Sequence, residues 1–593
     1  MGRDNYVKMR NVYSINFSDV NVFMTSSEKI TNAYCNKILS KSIDCQISLD
    51  SKEEKYVVFA LGSSYSDKEN LSLIDKYTDI NNVLKELQAV KDDWNKTLGI
   101  IKVKSPDDSF DYVVNGWYLY QTISSRILAK AGFYQVSGAF GYRDQLQDAM
   151  NIVMIRPDFT KEQILINASH QFEEGDVLHW WHVKNRFGLR SRFKDDYLWL
   201  VYATLHYIDV TGDKSILDEQ VPYIVGDKLS DYEAEKGITY AYTEKTGTLL
   251  EHCIKSLQLS MNSLGRHKIP LMGGGDWNDG MNKVGIKGKG ESVWLGFFLY
   301  QIIEDFVKLM KKIDRKGEKV KVEDYINFNE KLKDNLNKKT WDGEHYLRAF
   351  FDNGDKLGSS ENNECKIDLL SQSFAVLSGV APKDRVQSSI NAVEDQLVDN
   401  KSKIVKLLTP AFDKSLNNPG YIMSYPNGIR ENGGQYTHSV AWYIMALIKA
   451  GYSDRAYRYY QMINPVNRGV NNALANSYKV EPYVIAADIY SAKEHNGRGG
   501  WTWYTGSAGW FYRVGIREII GLKKKGDKLK LDPKMPVHWD GFKVCYTYMD
   551  TTYNIEVIRS DKDEVILDGV SQISNKIDLV NDKSTHKITM YIK

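Results

Sequence analysis

The apolar positions of this chain change period twice. Up to about residue 75 they fall in short β-rich runs, VNVFMT (20–25), CQISLD (45–50) and KYVVFALG (55–62), separated by polar turns. Three or so strands do not close a sandwich of their own, so the segment reads as the tail of a β domain. Residues 79–98, DINNVLKELQAVKDDWNKTL, then space Val83, Leu84, Leu87, Val90 and Trp94 by threes and fours, which predicts a polar connecting helix. From about 109 to 520 helix follows helix. The clearest runs are 110–131, 160–173, 192–211, 246–263, 292–313, 322–338, 367–379, 435–451 and 473–487. After about 521 the strand pattern returns in KLKLDP, FKVCYTYM, YNIEVIRS, EVILDG and HKITMYIK, which predicts a small C-terminal β domain.

The loops between the helices are not bland. VSGAFGYRDQLQD (136–148), EEGDVLHWWHVKNRFGLRSR (173–192), GGGDWNDGMNKVGIKGKGES (273–292), SYPNGIRENGGQYTH (424–438) and GRGGWTWYTGSAGW (497–510) are rich in Gly, aromatics and charge. Helix connections in bundles are normally short, and long loops of this composition carry function. Roughly a dozen helices with such loops predict an α/α toroid whose loops gather at one end around a pocket.

Composition narrows the function. The 593 residues are too many for one ordinary core, so two to four domains are expected. The 78 Lys plus Arg balance 76 Asp plus Glu, which argues against a general nucleic-acid or membrane-surface binder. Thirty-eight Tyr and 13 Trp exceed what a core needs and suit carbohydrate platforms. Five scattered Cys, none in CxxC spacing, together with an N-terminus lacking an apolar core segment, predict a reduced, cytoplasmic protein without a zinc site. No apolar run approaches a membrane span.

The stretch Gly273 to Gly285 is the first candidate for chemistry. Its glycines allow positive φ and close approach to a ligand. Asp276 and Asp279 flank Trp277 and Asn278, so an acid, a flat apolar face and an amide fall within four residues. A sugar ring suits that grouping, and so does a helix cap beside a core Trp. In GYRDQLQDAM, Arg143 and Asp144 open a helix with Asp148 one turn on, which fits hydroxyl binding or a structural ion pair. His438, at a helix start beside Gly433 and Gly434, and Thr505–Gly506 make a natural anion cup, or simply two capped helix starts. The HWWH stretch (179–182) has no third metal ligand and reads as core or substrate wall. In RSRFKDDYLW, Arg192, Asp195 and Asp196 read as mostly structural. GIKGKGES lacks the GKS or GKT of a phosphate loop and the strand before it.

Taken together and in this order, GAFGYRDQLQD, GGGDWNDGMNKVGIKGKGESVWL, NGGQYTHSVAW and WYTGSAGW resemble the family 94 glycoside phosphorylases, formerly glycosyltransferase family 36. The resemblance runs from about residue 20 to the C-terminus. It looks closest to β-1,2-oligoglucan phosphorylases and the C-terminal part of cyclic β-1,2-glucan synthases. It implies a mainly α fold: an (α/α)6 toroid over 109–520, a partial N-terminal β-sandwich over 1–76, a helical linker over 77–108 and a C-terminal β domain over 521–593. It also implies inverting phosphorolysis of a β-glucoside to α-glucose 1-phosphate by a hexosyltransferase. Asp279 falls on the general acid, which must enter the reaction protonated, with Asp276 as its supporting neighbour. Arg143, Asp144 or Asp148 and Trp277 fall on the donor-sugar subsite, and His438, Thr505 and Gly506 on the phosphate contacts.

No cofactor is expected beyond phosphate as co-substrate, and the partners are an oligosaccharide and phosphate, with no nucleic acid or membrane. A homodimer is expected, with a separate N-terminal half completing the sandwich, because family members carry a few hundred residues before the point matching Val20. Several of them also have an extra Arg about ten residues before the YRD arginine, where this chain reads FYQVSGAF (133–140). Other readings are the trimming part of a cyclic glucan synthase, a cellobiose- or laminaribiose-type phosphorylase, and a carbohydrate-binding remnant without turnover.

Overall fold

The computed structural model describes residues 6–9, 12–17, 20–35, 41–132, 138–230, 233–313 and 321–593. They form two compact units, Met1–Leu98 and Gly99–Lys593.

In the first unit, strands Tyr6–Met9, Val12–Phe17, Val20–Ser26 and Phe59–Ser64 form an antiparallel sheet in that order. A separate hairpin pairs Ile30–Cys35 with Lys41–Cys45. Phe23 on the sheet is buried against Ile74 of helix Asp67–Thr78, which starts where the Ser66 hydroxyl accepts a bond from the Glu69 N–H. Of the run CQISLD only Cys45 lies in a strand. The chain leaves the ladder for a turn, where the Glu53 carboxylate accepts a bond from the Asp50 N–H. Helix Ile80–Gly99 follows, but the expected linker over 77–108 is not helical throughout. Residues Ile101–Lys104 form an edge strand that pairs with Gly541–Tyr548. The reason is legible in IKVK, where Ile101 and Val103 alternate inward with Lys102 and Lys104 outward.

In the second unit, six helices pack in a closed circuit. Tyr142–Asn151 packs on Asp196–Thr211, that on Val293–Lys312, that on Leu369–Ser378, that on Thr437–Lys449, that on Ser507–Arg513, and the last returns to the first. Other helices back this circuit, including Pro157–Ala168, Leu249–Met261, Val322–Lys339, Lys383–Gln396 and Ser453–Ile463. The last two carry few long apolar side chains, and the apolar spacing leaves them unmarked. The run expected over 473–487 is helical only over Asn472–Tyr478, because Lys479 turns left-handed at φ 58°.

The circuit's core is aromatic. Trp199, Trp294, Trp442 and Trp510 are buried, one from each of four circuit helices. Trp442 lies 6.2, 6.3 and 5.5 Å from the other three rings. These four tryptophans belong to the core. The stretch 173–192 is a β-hairpin and not an irregular loop. Strands Leu178–His182 and Phe187–Ser191 join Phe140–Gly141 and Glu235–Thr239 in one antiparallel sheet. At the C-terminus a three-stranded and a six-stranded sheet contain all five of the expected strand runs, and residues 101–104 add one edge. Among the described residues no helix is long and apolar enough to cross a membrane.

Candidate active site

The circuit helices start at one end of the bundle, and the residues that start them hold the loops above. Ser292 caps Val293–Lys312 by accepting a bond from the Leu295 N–H at 3.1 Å. The same hydroxyl donates to Asp276 Oδ2 at 2.6 Å. Arg348 donates to both Asp276 oxygens at 2.6 and 2.7 Å, and the Asn278 N–H adds a fourth bond at 3.1 Å. Burial opposes the charge of Asp276, but Arg348 and these hydrogen bonds hold its carboxyl below the ordinary range. The Asp276 carboxylate is therefore committed to a buried ion pair beneath the loop, a supporting position and not a catalytic one. Gly275 turns the chain at φ 146°, with the Phe193 ring where a Cβ would stand.

Asp279 opens the short helical turn Asp279–Met281, where the Asn278 side chain accepts a bond from the Gly280 N–H at 3.1 Å. Its carboxylate meets two cations. Arg143 Nη2 donates to Oδ1 at 2.5 Å, and His179 Nε2 lies 3.8 Å from Oδ2. Both are anchored from behind. Arg143 Nη1 reaches Asp195 Oδ1 at 3.2 Å and the Asp276 carbonyl at 2.9 Å. His179 Nδ1 bonds Asp196 Oδ2 at 2.8 Å. Burial works against a charge on His179, but Asp196 and then Asp279 push its pKa up to about 9, so the ring is an imidazolium at neutral pH. Asp195 and Asp196 thus act through Arg143 and His179, in keeping with their structural reading. HWWH is wall: His179, Trp180 and His182 line the cavity while Trp181 is buried, stacked 4.0 Å from His170.

The cavity above Asp279 holds about 410 Å³. Arg143, Asp144, Trp277, His438, Thr505 and Gly506 line it together with Asp279. Asp148 does not. It is fully buried, and its Oδ2 accepts a bond from Arg126 Nε at 2.7 Å. Burial, only partly offset by Arg126, raises the Asp148 carboxyl to about 6. One helical turn from Asp144 put it on the right helix but one layer too deep. Asp144 stays at the surface of the cavity, 3.6 Å from Arg126 Nη2. Burial opposes its charge, but Arg126 and Arg143 overcome this and hold its carboxyl below the ordinary range.

The wall opposite carries His438. Its Nε2 lies 3.0 Å from Gln147 Oε1, which also accepts the indole N–H of Trp510 at 3.1 Å. The Gln147 amide is oriented by its own donation to the Arg143 carbonyl at 3.2 Å. Oε1 is an acceptor, so the His438 proton sits on Nε2. Burial, then Arg126 and Arg143, push the ring down to about 3, and it is neutral. A Cβ at Gly506 would come 3.2 Å from His438 Cε1, so the glycine lets the two loops close. Thr505 Oγ1 accepts the Ser507 N–H at 3.2 Å and donates to Ser507 Oγ at 3.0 Å. Trp503 just before holds φ 64°, a conformation rare for a non-glycine residue, with its carbonyl and indole tied to Gln121 and Glu481. That turn aims Tyr504 to Gly506 into the cavity.

Sequence reasoning missed part of the lining. Arg126 supplies a cation to the wall shared with Tyr504, Thr505 and Gly506, and its guanidinium stacks 4.0 Å over the Tyr504 ring. The stretch in which an arginine was noted as missing lies outside the described residues over 133–137. Arg430, Glu431 and Asp488 also line the cavity. Arg430 Nε bonds Glu431 at 3.3 Å, while Asp488 accepts the backbone N–H of Arg430 and of Trp501, each at 3.1 Å. Arg430 and Glu431 lie in the charge-rich loop 424–438, while Asp488 lies in none of the flagged loops; pairing between 435–436 and 488–489 brings them together. The glycine loop 285–290 does cradle an anion, but an internal one. The N–H groups of Lys287, Lys289 and Gly290 donate to the Asp352 carboxylate at 2.8, 2.9 and 2.8 Å.

Comparison with known proteins adds four findings. A family described as the glycosyl hydrolase 94 superfamily, catalytic domain, matches residues 93–521. The cyclic beta-(1,2)-glucan synthase of Rhizobium meliloti is 41% identical over 516 residues, 87% of this chain but 18% of its own length. The N,N'-diacetylchitobiose phosphorylase of Vibrio proteolyticus is 27% identical over 552 residues, 88% of this chain and 65% of its own. The chain thus spans less than two thirds of each of these relatives. In fold it is similar to a bacterial glucoamylase complexed with acarbose, with TM-score 0.52 at 11% identity over 85% of this chain and 72% of that one.

Proposed function

This chain belongs to the glycosyl hydrolase 94 superfamily, and from that membership we propose that it is an inverting glycoside phosphorylase that cleaves β-linked glucooligosaccharides with inorganic phosphate. The bond we assign to it is β-1,2 and the product is α-glucose 1-phosphate. The observation that carries the reading is the division of the cavity. One carboxylate, Asp279, stands among proton-bearing groups, and Arg126, His438, Thr505 and Gly506 line the same cavity at two helix starts, a wall we assign to phosphate.

An inverting hydrolase needs a second carboxylate to activate water. Here the other carboxylates of the cavity are already engaged: Asp144 faces Arg126, Glu431 pairs with Arg430, and Asp488 accepts two backbone N–H groups. Phosphate is itself an anionic nucleophile and needs only positioning. In the proposed reaction a phosphate oxygen attacks the anomeric carbon from the Thr505 side. The bond to the leaving oxygen breaks, and Asp279 gives that oxygen its proton. The imidazolium of His179, anchored by Asp196, returns a proton to Asp279, and the proton that hydrogen phosphate loses on becoming the ester recharges His179 through solvent. Trp277, Asp144 and Arg143 hold the sugar at the cleaved bond, in an (α/α)6 toroid with a C-terminal β domain. No cofactor enters this scheme.

The β-1,2 assignment leans on the 41% identity to the cyclic beta-(1,2)-glucan synthase. That same likeness favours a second reading, in which the domain trims or rearranges β-1,2 chains beside a separate synthase. A panel of β-1,2, β-1,3 and β-1,4 glucooligosaccharides, each with and without phosphate, tests the proposal. Phosphate-dependent sugar phosphate from the β-1,2 substrates alone is expected. Equal or better turnover of another linkage would refute the assignment, and turnover without phosphate would refute the reaction.

A further inference from the structure

At the other end of the helix circuit lies a second, strongly basic cavity of about 530 Å³. Helix Asp196–Thr211 spans the distance. Asp195 at its start touches Arg143, and Asp209 near its end lines this second cavity, about 20 Å away at 1.5 Å per residue. Six cationic side chains and two carboxylates line it. The carboxylates are shared out. Asp209 lies 3.2 Å from Lys525 and 3.7 Å from Arg517, and Asp305 lies 3.0 Å from Lys308. Glu518, outside the lining, lies 3.6 Å from Arg517 Nε and 3.4 Å from Lys523.

Two arginines remain under-satisfied. Among the described residues, Arg513, which is 8% exposed, has no hydrogen-bond partner for Nε and makes a single long side-chain contact, 3.5 Å to the Asn151 amide oxygen, and the buried Arg517 Nη1 has no partner. The local field is positive enough to act on neighbours. Burial first, then Arg513, Arg517 and Lys525, hold the pKa of His206 well below its usual value, and burial with Arg513 lowers that of Arg517. Among the described residues Arg513 has no carboxylate at ion-pair distance, and Arg517 meets Asp209 and Glu518 only at 3.7 and 3.6 Å, so the two guanidiniums keep capacity for a further anion.

We propose that this cavity is a binding site for a phosphoryl group, separate from the catalytic cavity and held by Arg513, Arg517 and Lys525. Guanidinium forks match the oxygens of a phosphoryl group two at a time, which sets this group apart from a simple halide. The volume accommodates a hexose phosphate as well as free phosphate. The site also touches the catalytic end through packing. Arg513 lies over the Trp510 ring at 5.1 Å, and Trp510 donates to the Gln147 oxygen that holds His438.

Calorimetric titration of the full chain with inorganic phosphate and, separately, with glucose 6-phosphate tests this. Two phosphate sites are expected in the wild type; His438→Ala should weaken the catalytic one alone and Arg517→Gln the second alone, so a failure here is separable from a failure of the proposed reaction. Arg517→Gln should weaken binding by about tenfold or more, and Lys525→Ala by several-fold. Lys214→Ala, an exposed lining position, carries the test at reduced amplitude if Arg517→Gln does not fold. Binding of phosphate alone would identify the free ion as the ligand, and binding of glucose 6-phosphate would identify a phosphate ester. Absence of binding by both probes, or equal binding by wild type, Arg517→Gln and Lys525→Ala, overturns the proposal.

Discussion

At the scale of single residues, the chemistry rests on Asp279 and the two cations against it. Asp279→Asn keeps the size and the Asn278-capped turn but cannot give up a proton. It should lower phosphorolysis by about 10²–10⁴-fold while leaving the thermal midpoint nearly unchanged. Turnover near the wild-type rate in that variant would remove Asp279 from the role of acid. His179 supplies a pH signature. Its folded-state pKa is raised from 6.5 to about 9. The stabilisation it gains from Asp196 is therefore complete below about 6.5 and is lost as pH rises through 9, by at most roughly 3 kcal/mol. Denaturant midpoints measured across that window should fall in the wild type and stay flatter in His179→Gln. If His179 also returns the proton to Asp279, the alkaline limb of kcat should follow the same group and disappear in the variant.

At the scale of elements, the helix starts tie stability to the site. Ser292 caps one circuit helix and bonds Asp276, so Ser292→Ala should cost about 1–3 kcal/mol in chemical denaturation. Arg348→Met should cost more, about 3–5 kcal/mol, because it strands the buried Asp276 carboxylate without its cation. Equal effects from the two substitutions would contradict the view that Asp276 is a structural ion pair. Much of this scale was legible in the chain. Apolar spacing marked the circuit helices at 196–211, 293–312, 369–378 and 437–449, and glycine and aromatic clusters marked the loops above them. The strand over 178–182 was not legible, because HWWH alternates a buried Trp181 with cavity-lining His179, Trp180 and His182, and no clean two-residue period survives. The depth of Asp148 was not legible either: one helical turn sets a face, but the packing of Arg126 decides which layer of that face meets the cavity.

At the scale of the whole molecule, residues far apart in the chain converge. Arg143 and Asp279 are 136 positions apart, and Gln147 and His438 are 291 apart. The motifs could be seen one by one, but their meeting depends on the closed helix circuit. Arg126 and Asp488 lie in none of the flagged loops, and only the fold brings them to the wall. The same scale corrects the linker. Residues 101–104 are an edge strand of the C-terminal sheet, with Ile101 and Val103 buried. Removal of residues 1–98 should leave the melting transition of 99–593 cooperative. Removal of residues 1–108 should lower its midpoint by several degrees, since the Gly541–Tyr548 strand loses its partner. Equal midpoints for the two truncations would show that the strand contributes nothing to the second unit.

The central claim is that one acid and a bound phosphate, with no second catalytic carboxylate, cleave the glycosidic bond. Proton NMR of the first sugar phosphate formed from a β-1,2-glucooligosaccharide and phosphate tests it most directly. The account predicts the α anomer of glucose 1-phosphate alone, formed only when phosphate is present. The β anomer, or free glucose released at the same rate without phosphate, would contradict it.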